Sequence, residues 1–287
     1  MADFTCQLDM AGCVWEIVSP FEVPIGDNCA PFLTEGRRPD CRIRFRPGLP
    51  EERGTLLRER APRVWQEDGA LRVERLPVTS AEPCASVWLR KDDPLRVEGL
   101  IYPGREKSFR SLDTLLDVAE LELMLLALGA VSLHSSLVRR SEGDAILFTA
   151  PSGTGKSTQA SLWERHAGAD TLNGDRSILR RMDGVWTAFG SPFAGSSGVY
   201  RNESAPIRAL VVLRQAPENR IRRLGAAEAF RALYSESVLP RWNTEAHAET
   251  IDLVTALAAA LPVYLLACTP DERPVTLLQN TLEGDSL

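Results

Sequence analysis

The sequence predicts an α/β fold preceded by a β-rich N-terminal domain. Residues 1–108 hold short alternating apolar runs separated by Pro, Gly and Asp. From about residue 109, strand-like runs alternate with helix-like ones, the pattern of a sheet covered on both faces. A glycine-rich turn, APSGTGKST at 150–158, joins a short apolar run to a helical one. The expected division is therefore 1–108 and 109–287.

In the first part, segments 13–18, 41–45, 70–76, 85–89 and 95–102 read as strands. Arg42, Ile43, Arg44 and Phe45 show the two-residue period of a half-buried strand. No constellation there points to chemistry. Residues 111–130, SLDTLLDVAELELMLLALGA, carry apolar side chains at helical spacing, an N-terminal Ser and Gly129 near the end, which predicts one helix. VSLHSSLVRR and AILFTA follow as strands, and TQASLWERHAG follows the glycine-rich turn as a helix. Then come a short strand near Thr171, a hairpin at 177–181 and 185–189, and a Gly/Ser-rich loop at 190–198 suited to a mobile lid. A strand at 210–213, helices near 226–235 and 245–260, a strand at 263–268 and a last helix from about Asp271 complete the chain.

The 287 residues are 44% hydrophobic and 25% charged, enough apolar material for a core without metals or disulfides. A net charge of −6 without a basic run excludes a nucleic-acid partner. The apolar stretch near 121–131 is broken by Glu122 and too short to span a bilayer, and MADFTCQLDM does not read as a signal peptide. A cytoplasmic protein with no membrane partner is expected. None of the six cysteines forms a CxxC pair, so reduced, incidental thiols are expected. Trp163, Trp186 and Trp242 read as packing residues, and Arg214, Arg220, Arg222 and Arg223 as a solvated face.

Only three lysines accompany thirty arginines, and one of the three, Lys156, lies in the glycine-rich turn. A compact ammonium fits between phosphates where a forked guanidinium does not. The turn matches G-x-x-x-x-G-K-[ST], with Ala150 in the place of the first glycine. Gly153 and Gly155 let the backbone curl so that its N–H groups face phosphate oxygens, and the following helix adds its positive end. Ser152, Gly153, Thr154, Gly155, Lys156, Ser157 and Thr158 are thus the expected nucleotide contacts. In this motif the Lys156 ammonium reaches the β- and γ-phosphates, and the Ser157 hydroxyl ligates Mg2+. ATP and Mg2+ are the expected ligands.

Such a loop needs an acid nearby. The strands at 209–213 and 263–268 run into Arg214-Gln215 and Thr269, and neither NKxD nor LSGGQ occurs, which argues against GTPases and ABC transporters. Asp175 in LNGDRSIL follows Lys156 by 19 residues, after one helix and one short strand. There it can lie near the phosphates, at the strand edge where α/β sheets bind ligands. It can equally be a turn residue after Asn173-Gly174.

His134 before the loop and Asp175 after its helix resemble the C-terminal domain of HPr kinase/phosphorylase, over roughly residues 130–215. The chain is also similar to HPr-kinase-like proteins with an NGD segment after the loop helix and a G-[ST]-P-aromatic segment beyond it. The resemblance implies a P-loop kinase domain of HPr-kinase type. It also implies transfer of the γ-phosphoryl group to a hydroxyl acceptor and a possible homo-oligomer. A peptide or protein serine, a free amino acid and a sugar hydroxyl all fit as acceptor. Asp175 would accept or position the hydroxyl proton, and His134 would orient Asp175 or contact the γ-phosphate. HPr kinases carry two adjacent acids, and here Arg176 stands at the second position. Arg176 could stabilise the transferred charge, and Glu203, after the flexible loop, is the candidate for a metal-side acid beside Ser157 and Asp175. The departure at Arg176 keeps two other readings open: a nucleotide-gated binding module, and an ATPase driving a partner.

Overall fold

The structure, a computed structural model, describes residues 3–51, 53–76 and 82–284. It forms two compact units, Met1–Leu128 and Gly129–Leu287.

The first unit contains β1 (Phe4–Met10), β2 (Cys13–Ser19), β3 (Leu33–Thr34), β4 (Cys41–Pro47), β5 (Thr55–Arg58), β6 (Arg63–Glu67), β7 (Ala70–Arg75), β8 (Ala85–Arg90) and β9 (Arg96–Ile101). They make one nine-stranded sheet in the order β3-β1-β2-β4-β9-β8-β7-β6-β5. β4 is parallel to both of its neighbours, β2 and β9, and the other pairs are antiparallel. The period seen at 41–45 is realised: Cys41, Ile43 and Phe45 are buried while Arg42 and Arg44 are exposed. The segment expected as one helix at 111–130 is two, α1 (Leu112–Val118) and α2 (Leu121–Ala127). Glu120 between them takes a left-handed conformation at φ 60°. Arg75 holds that corner, donating to Glu120 at 2.8 Å and to Asp117 at 3.1 Å. Both helices belong to the first unit, whereas the change of sequence texture set the boundary ahead of them.

The second unit contains β10 (Ala130–Arg139), β11 (Ala145–Thr149), α3 (Lys156–Ala167), β12 (Asp170–Asn173), β13 (Arg176–Met182), β14 (Val185–Phe189), β15 (Ser204–Gln215), β16 (Arg220–Arg223), α4 (Ala226–Glu236), β17 (Ser237–Val238), α5 (Thr244–Ala260), β18 (Val263–Cys268) and α6 (Arg273–Gly284). The main path of its sheet is β11-β10-β13-β14-β15-β18-β16, and β11 also pairs in parallel with β15. β10 organises the sheet. Its first half pairs with β13 and β17, its second half with β11 and β12. Alternate residues of β11 feed two cores. Ala145 and Leu147 face the one built with Leu233, Val254 and Leu257 of α4 and α5. Ile146 and Phe148 face the one built with Trp163, Leu278 and Leu282 of α3 and α6. Helices thus cover both faces, and the molecule is a mixed α/β protein with two large sheets and, among the described residues, six α-helices. No helix among the described residues is long and apolar enough to cross a membrane.

Candidate functional site

The glycine-rich turn sits between β11 and α3, and the backbone requires its glycines. Gly153 and Gly155 hold φ of +78° and +119°, which a Cβ disfavours. No side chain caps the first turn of α3, whose N-cap is Gly155. Ser152, Gly153, Ser157 and Thr158 are exposed and Thr154 half-buried. Lys156 is buried, and its ammonium donates to the Ala150 carbonyl at 2.7 Å. Burial lowers its pKa, while the charges of Glu236 and Asp175 oppose that shift.

The turn bearing Asp175 is built by Asn173, which is fully buried. Its Oδ1 accepts the N–H groups of Asp175 at 3.0 Å and Arg176 at 2.8 Å. Its Nδ2 donates to the carbonyls of Ser191 at 3.0 Å and Phe193 at 3.2 Å. The turn role therefore falls to Asn173, and the Asp175 carboxylate points elsewhere. The Asp175 carbonyl accepts the Ser135 N–H at 2.8 Å, and His134 lies opposite Arg176 in the β10–β13 register. Asp175 Oδ1 is 3.2 Å from His134 Nε2.

The other ring nitrogen of His134 meets a residue that the sequence did not single out. Glu236, the last residue of α4, sets Oε2 3.3 Å from Nδ1. His134 is thus flanked by two carboxylates, and both act electrostatically on Lys156. A carboxylate at a helix C-terminus faces the negative end of the helix dipole, an unfavourable place. A cavity of about 300 Å3 opens against this group, walled by His134, Asp175, Arg176, Glu236, Leu239 and Arg241.

Arg176 lies over the Phe193 ring, 4.4 Å from its centroid, on the cavity wall. The 190–198 loop packs on the acid: a Cβ added to Gly195 would sit 2.6 Å from the Asp175 carboxyl carbon, so a side chain there collides with the site. Glu203 is placed differently. It binds Arg139 at 2.5 Å, with Arg201 at 3.9 Å. Arg139 is five residues along β10 from His134, at about 3.3 Å per residue. The second carboxylate at His134 is Glu236, and Glu203 is committed to a surface ion-pair group. Among the described residues no cluster of three or more His, Cys, Asp or Glu could hold a metal ion by itself. The exposed hydroxyl of Ser157 and the carboxylate of Asp175 are hard oxygen donors, of the chemistry that suits Mg2+.

No protein-family profile matches the chain. No curated protein matches it. Among solved structures it is similar to the Hpr(Ser) kinase/phosphatase from Coxiella burnetii, with a TM-score of 0.32 and 13% identity over 54% of this chain and 89% of that one. A likeness of that size carries no weight here, and the functional reading rests on the site.

Proposed function

We propose that the chain is an ATP-dependent phosphotransferase of HPr-kinase type, acting on a hydroxyl acceptor. The observation that supports it is the meeting of Asp175, His134 and Glu236 on the wall of a cavity open to a second substrate, with both carboxylates opposing the burial shift of Lys156. The amides of residues 152–158 and the Lys156 ammonium, turned from the Ala150 carbonyl, bind the triphosphate. Ser157 and Asp175 would hold Mg2+, which supplies positive charge to the phosphate oxygens. The acceptor hydroxyl enters the cavity against Asp175. As its oxygen bonds to the γ-phosphorus, the bond to the β-phosphate oxygen breaks, ADP leaves with the electron pair, and Asp175 takes the hydroxyl proton. His134 holds Asp175 in position, and Glu236 fixes the imidazole from its other side. Glu236 takes the place of the second acid that Arg176 displaces, which weighs against a binding module without catalysis and against an ATPase that merely drives a partner.

The test uses γ-labelled ATP, Mg2+ and fractionated cell extract, with Asp175→Asn as control. Label transferred into the macromolecular or small-molecule fraction by the wild type alone is the expected result, and it names the acceptor class. ATP binding without transferred label overturns the kinase reading in favour of the binding module. Phosphate release that needs no acceptor favours the ATPase.

A further inference from the structure

A second cavity, of about 550 Å3, lies where the glycine-rich turn meets the C-terminal ends of β15 and β18. Its walls include Gly155, Thr158, Gln159, Leu213, Cys268 and Thr269, and it shares no lining residue with the cavity at His134. Its volume falls in the range of about 300–1,000 Å3 usual for small-ligand sites, and the carboxyl ends of parallel strands are where such folds take ligands.

The cavity is equipped for recognition. Gln159 is 2% exposed, and its Oε1 has no hydrogen-bond partner. Its Nε2 is already directed at Cys268 Sγ, at 3.4 Å. A buried carbonyl oxygen left unpaired is unfavourable, and a ligand N–H or O–H would satisfy it. Leu213 is apolar and 5% exposed, a surface for the flat face of a ring. The Gln215 amide donates to the carbonyls of Gly153 and Thr154 at 3.3 Å each, which ties the phosphate-binding turn to this cavity.

We propose that this cavity is a nucleoside site, and that Gln159 Oε1 selects adenine by accepting a hydrogen bond from its exocyclic amino group. The proposal rests on the triphosphate reading of the adjoining turn. Guanine presents a carbonyl oxygen where adenine presents that amino group, so two acceptors would face each other.

Equilibrium binding of ATP, 2′-deoxy-ATP, GTP and inorganic tripolyphosphate to the full chain, wild type and Gln159→Leu, tests this. ATP and 2′-deoxy-ATP should bind alike and about tenfold more tightly than GTP, a difference of about 1.4 kcal/mol. Gln159→Leu should remove the preference and leave tripolyphosphate affinity unchanged. A second measurement needs no variant: ATP should slow alkylation of Cys268 by N-ethylmaleimide several-fold, and tripolyphosphate should not. Equal affinity for ATP and GTP, a loss confined to 2′-deoxy-ATP, or no protection of Cys268 by bound ATP overturns the adenine site while the triphosphate reading stands. Failure of every triphosphate and of tripolyphosphate to bind overturns both.

Discussion

Arg72 in the first unit and Lys156 in the second are cations of nearly equal burial, 4% and 7% exposed, with opposite surroundings. Arg72 lies over the Trp65 ring and donates to Glu67 at 2.5 Å, and the other oxygen of Glu67 takes the Trp88 indole N–H at 2.7 Å. Glu74 nearby is also closed in, by Arg63 at 3.1 Å and the Tyr102 hydroxyl at 2.9 Å, with Ser86 completing the chain. Lys156 has one backbone carbonyl, and two carboxylates that act on it without a hydrogen bond to it. The first arrangement spends its polar capacity internally and fixes a sheet. The second leaves capacity over, and a ligand with oxygen atoms can use it.

The largest effect that could break this contrast is on catalysis. Asp175→Asn should lower transfer at least about a thousandfold, within the range for loss of a positioned acid–base group. Nucleotide affinity should stay within a few-fold by calorimetry, and near wild-type turnover would remove Asp175 from the mechanism. Next comes stability in the first unit. Arg72→Met leaves the half-buried Glu67 without its cation and should cost about 2 kcal/mol in urea unfolding, the size usual for a hydrogen bond to a charged group. An unchanged midpoint would mean that this network is not structural. Glu236→Gln should do the opposite: transfer should fall about a hundredfold, while the thermal midpoint holds or rises, because a charge is taken from the wrong end of a helix. A loss of stability as large as that of Arg72→Met would erase the distinction between the units.

The smallest expected effect is on pH dependence. Burial, assisted by the charge of Asp113, pushes the Cys29 thiol up to about 12 from 9.0. The unfolded chain then loses this proton near pH 9 while the folded chain keeps it. The associated stability is complete below that pH and is lost as pH rises towards 12. At pH 10.5 the loss should be about 2 kcal/mol. The gap between unfolding midpoints at pH 8 and 10.5 should narrow in Cys29→Ala, the raised thiols of Cys6 and Cys84, each at about 11, keeping part of it, and an unaltered gap would refute the assignment.

What the sequence displayed was local. The glycine-rich turn is contiguous, and Asp175 is one helix and one short strand beyond it, so spacing alone located the β11–α3 turn and the loop after β12. The alternation at 41–45 reported a half-buried strand because pleating has a period of two. Glu236 is 102 residues from His134 and ends an ordinary amphipathic helix, so only the pairing of β17 with β10 brings it in. Glu203 seemed suitable by its position after a loop, but Arg139, 64 residues earlier in the chain, reaches it only through the fold, and Arg201 lies beside it. The break at Glu120 was hidden for a similar reason: apolar spacing continues across it, and Arg75, which bonds to the corner, lies 45 residues away.

β10 gives the site an unusual clock. The strand has partners on both sides at Ser132–Leu133 and Leu137–Arg139, and His134 stands where its partners change from β13 and β17 to β11 and β12. Its amides can meet solvent deuterium only when several strands part together, so they should be among the last of the chain to exchange. The 190–198 loop carries a three-residue 3-10 turn at Gly195–Ser197, and Asn173 fastens it, through the carbonyls of Ser191 and Phe193, to the turn that bears Asp175. The imidazole beside Asp175 should therefore keep its place for as long as the unit stays folded.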